Sequence, residues 1–212
     1  MPIIRTPRPS IAYATLARKA RTGDIIVFAG TMPHSVALEK KLRSQFSHAS
    51  MIVRPNPTGP IYLWQTGPSP ITTDKFTGTS HGGAQLGALE PTLRVMAAPD
   101  YGDPGFYRQL KVARGPQFES AMMMFVQDMN GRPFPTVARM TKAFASGRKM
   151  KSFSDRTLYC AELVAETYMR LGLLLMSPPP NSYIPAHFTD ERKITLQKQA
   201  TFGPLLSIAL SK

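Results

Sequence analysis

Cys160 is the only cysteine of the chain, and it stands in Tyr159-Cys160-Ala161-Glu162-Leu163-Val164, where apolar residues begin to recur at helical spacing. A thiol in the first turn of a helix faces unpaired backbone N–H groups and the positive end of the helix dipole. Both favour the thiolate, so the sequence predicts a lowered thiol pKa and a nucleophile. A lone cysteine is also a common small residue of apolar cores, so residue type alone leaves both readings open.

A thiol nucleophile needs a base. His48, after Phe46-Ser47, offers an imidazole that can take the thiol proton near neutral pH. Gln65 lies within the apolar run Ile61-Tyr62-Leu63-Trp64-Gln65, where a buried polar side chain requires a partner. Its carboxamide could accept an imidazole N–H and fix the ring, as the third member of a Cys-His-Asn arrangement does.

The elements that must position these residues follow from patterning. Residues 48 to 53 and 61 to 66 read as two strands reversed by Arg54-Pro55-Asn56-Pro57-Thr58-Gly59-Pro60. Pairing Ile52 with Ile61 sets Ser50 opposite Leu63 and His48 opposite Gln65, all on one face. Upstream, Ser10 is expected to cap an entry helix over residues 10 to 20, Ile25 to Ala29 reads as a buried strand, and Val36 to Gln45 as a basic helix. Weaker strand signals lie at 85 to 89 and 106 to 112. Phe118, Met122, Phe125, Val126 and Met129 mark an amphipathic helix that Gly131 ends, and Met122-Met123-Met124 reads as core filler. The clearest helix spans 156 to 171, with Leu158, Ala161, Val164, Ala165, Tyr168 and Leu171 on or near one face and Gly172 as its stop. The last twenty residues are expected to add a strand.

Gly23-Asp24-Ile25-Ile26, then Phe46-Ser47-His48-Ala49, then Tyr159-Cys160-Ala161-Glu162-Leu163-Val164 resemble, in this order, the circularly permuted NlpC-type papain-like cysteine peptidase and amidase superfamily. Its members place His before Cys, include amidases, peptidases and lecithin:retinol acyltransferase-like enzymes, and have relatives in bacteria and large DNA viruses. Gly131-Arg132-Pro133-Phe134 and Tyr183-Ile184-Pro185 resemble segments before and after the family's Cys helix, so the likeness covers about residues 20 to 190. It implies Cys160 as nucleophile, His48 as base and Gln65 as the orienting residue. Two positions depart from the pattern. The third member is often acidic or His in relatives, and Ala161 stands where Ser is frequent. A neutral Gln65 stabilises imidazolium less than a carboxylate would.

Composition bounds the rest. The chain has 212 residues with 26 Lys and Arg against 13 Asp and Glu, a net charge of +13 that favours anionic partners. Residues 1 to 23 carry Arg5, Arg8, Arg18, Lys19 and Arg21. Residues 129 to 154, leading to Cys160, carry Arg132, Arg139, Lys142, Arg148, Lys149 and Lys151 with no acid. Arg148, Lys149 and Lys151 are therefore candidates for holding an anionic substrate or membrane, or a phosphate backbone; a solvated face is the plain alternative. One cysteine and four scattered histidines give no zinc framework, so neither metal nor cofactor is expected. His34, His81 and His187 read as solvated loop residues, and Glu162 and Glu166 as facing solvent or a neighbouring Arg. Neither a signal peptide nor a transmembrane run is evident, which predicts a soluble cytoplasmic or virion-associated protein.

The sequence thus predicts one α+β papain-like domain over 1–212, with a basic arm and entry helix (1–22), a core (23–190) and a C-terminal extension (191–212). In it a small antiparallel sheet packs on the Cys160 helix. The expected activity is hydrolysis or acyl transfer on an amide, ester or thioester of a small acyl or peptide-like substrate through a covalent acyl-enzyme. A non-catalytic basic binding protein, nucleic-acid-associated or a virion component, is the alternative.

Overall fold

Ile25–Phe28 is buried on both faces and forms β2, the middle strand of a sheet seen in a computed structural model that describes residues 7–99, 101–153 and 156–211. Arg5 of the basic arm lies outside the described residues. The other strands are β1 (Ser10–Ala12), β3 (His48–Val53), β4 (Tyr62–Gly67), β5 (Gly83–Ala88), β6 (Phe106–Lys111) and β7 (Thr201–Ala209). They lie in the order β1-β7-β6-β2-β3-β4-β5. The fold is α+β as expected, but the sheet is neither small nor wholly antiparallel: it has seven strands, and β1 runs parallel to β7. The strand expected from the last twenty residues forms inside the sheet, between β1 and β6.

Side chains alternate across the strands and build two cores. Val27, Ala49, Met51, Val53, Trp64 and Leu86 face one layer, which holds α4 (Pro116–Met129) and α6 (Cys160–Arg170). Ile26, Phe28, Ile52 and Leu63 face α1 (Tyr13–Lys19) and α3 (Leu89–Met96). Two further helices, α2 (Pro33–Leu42) and α5 (Val137–Arg148), flank the sheet end at which α6 begins. Among the described residues no helix is long and apolar enough to cross a membrane.

Three local expectations change. Ser10 lies in β1 and caps nothing; α1 starts after Ala12, whose backbone is extended, without a side-chain cap. The Cys160 helix begins at Cys160 itself rather than at 156. The β3–β4 register pairs Met51 with Trp64, Ile52 with Leu63 and Val53 with Tyr62, a slip of two residues from the expected pairing. An even slip keeps every side chain on its face, whereas a slip of one would have sent His48 and Gln65 to opposite sides.

Asp24, fully buried before β2, ties this sheet to its surroundings. One carboxylate oxygen accepts from Leu110 N at 2.9 Å and Arg114 Nη2 at 3.1 Å; the other accepts from Tyr107 Oη at 2.6 Å and Arg21 N at 3.0 Å. Burial pushes its pKa above the ordinary carboxylate value, and these donors offset part of that rise. Asp24→Ala would leave a phenol and two amides without this acceptor and the Arg114 guanidinium with backbone carbonyls but no counter-charge. We expect it to destabilise the fold by about 3–5 kcal/mol in urea denaturation, with Asp24→Asn less affected.

Candidate active site

Cys160 is placed by the residue pair that precedes it. Leu158 N donates to Pro133 O at 3.2 Å, and Leu158 O accepts from Thr66 Oγ1 at 3.2 Å, which pins the approach to α6 between the Gly131-Arg132-Pro133 segment and β4. Tyr159 Oη donates to Asn181 O at 2.6 Å, tying the helix start to the Tyr183-Ile184-Pro185 segment. Glu162, expected at the surface, is buried and turns back so that its carboxylate accepts from Tyr159 N at 3.4 Å. Glu166 pairs with Arg170 at 3.3 Å, as anticipated for a neighbouring Arg.

From this start the thiol reaches the first residues of β3. Cys160 Sγ donates to Ser47 O at 3.9 Å, and the backbone N–H groups of Ala49, Ala161 and Cys160 are directed at the sulfur. The nucleophile candidate therefore touches the backbone on both sides of His48. His48 pairs with Phe28 across β2 and β3, and its ring lies 5.7 Å from the Phe28 ring. The imidazole is thus on the α3 face of the sheet, while α6 packs on the other. Sulfur and imidazole approach the first residue of β3 from opposite faces, at the end of the sheet.

Gln65 does meet His48. Its Oε1 lies 3.1 Å from His48 Nε2, across the strand diagonal that the two-residue slip creates. A carboxamide oxygen only accepts, so Nε2 carries the proton and Nδ1 keeps the lone pair that a base requires. Gln85, directly opposite Gln65 on β5, continues the row. Its amide donates to His81 O at 2.8 Å, while Gln85 Oε1 and Gln65 Nε2, an acceptor and a donor, are both buried and unpaired among the described residues. Sequence reasoning missed Gln85, although a polar residue between Ala84 and Leu86 carries the signal that singled out Gln65.

The electrostatics correct one expectation. Burial pushes the Cys160 thiol pKa up, against the three backbone donors that pull it down, so loss of hydration outweighs the helix N-terminus. Burial also lowers the His48 pKa to about 4, with the Gln65 bond working the other way. Each shift favours the uncharged form, so the resting pair at neutral pH is thiol and imidazole rather than thiolate and imidazolium.

Above the sulfur lies a groove enclosing about 450 Å³ of empty space, including its open mouth. Leu38 and Leu42 of α2 form one wall, Met140 and Phe144 of α5 the other, and Tyr159 and Cys160 the floor. Sequence reasoning missed α5 and α3, and with α5 this wall. Ser47 also lines the groove, and its hydroxyl donates to the buried Glu39 carboxylate at 3.1 Å.

The remaining candidates lie apart from the sulfur. Arg148 ends α5, and Lys149 and Lys151 follow it, all three exposed. His187, expected in solvent, is half-buried; its Nδ1 accepts from Ile184 N at 2.9 Å, and burial lowers its pKa to about 4. Among the described residues no group of three or more His, Cys, Asp or Glu side chains is placed to hold a metal.

No protein-family profile matches the chain, and no curated protein matches it. Among solved structures it is similar to metalloprotein YiiX from Escherichia coli O157:H7, with 17% identity and a TM-score of 0.50. The match covers 71% of this chain and 66% of that one, so it spans just under two thirds of the length of YiiX. At this identity the likeness is one of fold.

A neutral, buried thiol alkylates slowly. Iodoacetamide should label Cys160 more slowly than free cysteine at pH 6 to 7, with the rate climbing above the ordinary thiol range near pH 8.5. Labelling faster than free cysteine at pH 6 would instead reveal a resting thiolate–imidazolium pair.

Proposed function

We propose that the protein is a papain-like cysteine hydrolase or acyltransferase that attacks an amide, ester or thioester through a covalent acyl-enzyme. The observation that carries this reading is the convergence at one end of the sheet: the Cys160 sulfur lies against the backbone flanking His48, whose ring Gln65 holds, on the floor of an open groove. The order and local sequence of the three segments, which resemble the permuted NlpC-type superfamily, support it.

The chemistry follows from the neutral resting pair. Cys160 Sγ attacks the carbonyl carbon as its proton passes, by way of a water at the end of the sheet where the two faces meet, to His48 Nδ1, so thiolate forms only as the carbon–sulfur bond does. Negative charge then builds on the carbonyl oxygen. The N–H groups of Cys160 and Ala161, at the start of α6, are donors within reach of the sulfur and supply stabilisation there. Imidazolium returns the proton to the departing amine, alcohol or thiol. The thioester left on Cys160 is released by water in a hydrolase or by an acceptor nucleophile in a transferase. The apolar walls favour a substrate whose acyl part is apolar.

The test compares turnover of a panel of acyl esters, thioesters and amides by folded variants. Cys160→Ala should abolish turnover and His48→Ala should lower it by about 10²–10⁴-fold. Gln65→Ala should lose less, because Gln65 orients the ring without carrying the proton, and Gln65→Glu should retain or raise activity by stabilising imidazolium. The base must be unprotonated, so the acidic limb of kcat/KM should fall near pH 4 rather than near 6.5. Turnover unchanged in Cys160→Ala would refute Cys160 as the nucleophile, and no turnover of any of these substrates by the folded wild type would leave a basic binding protein.

A further inference from the structure

The groove mouth is framed by two helices that expose cations and no acid. On α2, Lys40, Lys41 and Arg43 at its C-cap are exposed, while its one acid, Glu39, is buried and accepts from Gly30 N at 2.8 Å. Nearby Glu191 is occupied by Ser44 Oγ at 2.6 Å and Gln45 N at 3.0 Å. Across the mouth, α5 contains no acid and exposes Lys142 and Arg148, with Lys149 and Lys151 in the turn that follows. Lys41 Nζ donates to Thr141 Oγ1 at 3.4 Å, so the two basic helices lie side by side at the rim.

Large apolar side chains stand exposed among these charges. Val137, the first residue of α5, is 72% exposed, and Met150, between Lys149 and Lys151, is 58% exposed. Met150 adopts a left-handed backbone with φ of 59°, which for a residue other than glycine is an uncommon conformation. The only buried residues of α5 are the small Ala143 and Gly147. A Cβ on Gly147 would lie 2.5 Å from Asn181 O, so the helix fits the protein closely along this strip, half-buries Met140 and Phe144 along the groove, and exposes its remaining face.

We infer that this rim is a docking surface for an anionic lipid bilayer. Its cations would meet headgroup phosphates while Val137 and Met150 enter the interfacial layer, the division of labour of an interfacial basic helix. Nucleic acid fits less well. A phosphate backbone would satisfy the cations but leave both apolar side chains facing charge, and among the described residues no Phe, Tyr or Trp at the rim is exposed for stacking, Phe153 lying half-buried beneath Lys142. The docking does not require a reactive thiol. That the surface delivers an apolar acyl chain to Cys160 rests on the proposed function.

The test is co-sedimentation of the full chain with phosphatidylcholine vesicles, with and without phosphatidylserine, over a salt series. Binding should need phosphatidylserine and weaken with salt. Changing Arg148, Lys149 and Lys151 together to Gln should lower partitioning by roughly 100-fold, since each removes about a fivefold contribution. Val137→Ser with Met150→Ser should weaken vesicle binding while leaving binding to duplex DNA unchanged. All five side chains are exposed, so circular dichroism should show intact folding. Cys160→Ala should bind vesicles like the wild type, which separates failure of docking from failure of catalysis. Equal binding to both vesicle types, a triple variant that binds like the wild type, or DNA binding without vesicle binding would each overturn the inference.

Discussion

The placement of Cys160 depends on two hydrogen bonds to the backbone of a residue with no chemistry of its own. Leu158 donates to Pro133 O and accepts from Thr66 Oγ1, which fixes where the chain enters α6 relative to β4. A helix buried on nearly all sides cannot slide without losing packing, and α6 is such a helix: nine of its residues, including Cys160, Leu163, Val164 and Tyr168, are buried. The bonds at Leu158 set the starting point, the packing holds it, and the sulfur comes to rest against Ser47 and Ala49. The imidazole is fixed independently, by Phe28 beside it and Gln65 at its Nε2. Helix and sheet are therefore separate supports for the two halves of the site.

Burial governs the character of that site more than the helix dipole does. Backbone donors at the start of α6 favour a thiolate, yet the surroundings of Cys160 favour the thiol, and the surroundings of His48 favour neutral imidazole. Separated charge becomes favourable when a substrate supplies a carbonyl oxygen to share it. The polar row from His48 through Gln65 to Gln85 is placed to hold the ring while this happens.

Much of this arrangement is legible in the sequence. Period-two alternation gives β3 and β4 and the shared face of His48 and Gln65, and the apolar spacing after Cys160 gives α6. The register escapes because the loop from Arg54 to Ile61 does not dictate its closure to one residue, and a slip of two leaves the hydrophobic pattern equally satisfied. The short edge strand β1 escapes because three residues carry no period. Ser10 looks like a cap because its type suits one, but β7 claims its backbone first. α5 is hidden for a different reason. Its fully buried residues are Ala143 and Gly147, with only Met140 and Phe144 half-buried beside them, so it lacks the full stripe of large apolar residues by which a buried helix is read. The thiol pKa is misjudged because a helix terminus is a local property, whereas desolvation depends on segments distant in sequence.

The pairing of β1 with β7 bears on how the chain is made. Pro9 O accepts from Ser207 N and Ser207 Oγ, groups 198 positions along the chain. On a ribosome β1 waits unpaired until β7 has emerged, and the outer edge of β6 stays open for as long. Closing so long a loop is entropically costly and slow compared with forming the local β3–β4 hairpin. The active-site half of the sheet can thus be assembled on the nascent chain well before the other edge is sealed. Until residues 201 to 209 arrive, β6 presents the kind of bare strand edge that recruits foreign strands, and the insertion of β7 is what ends that exposure.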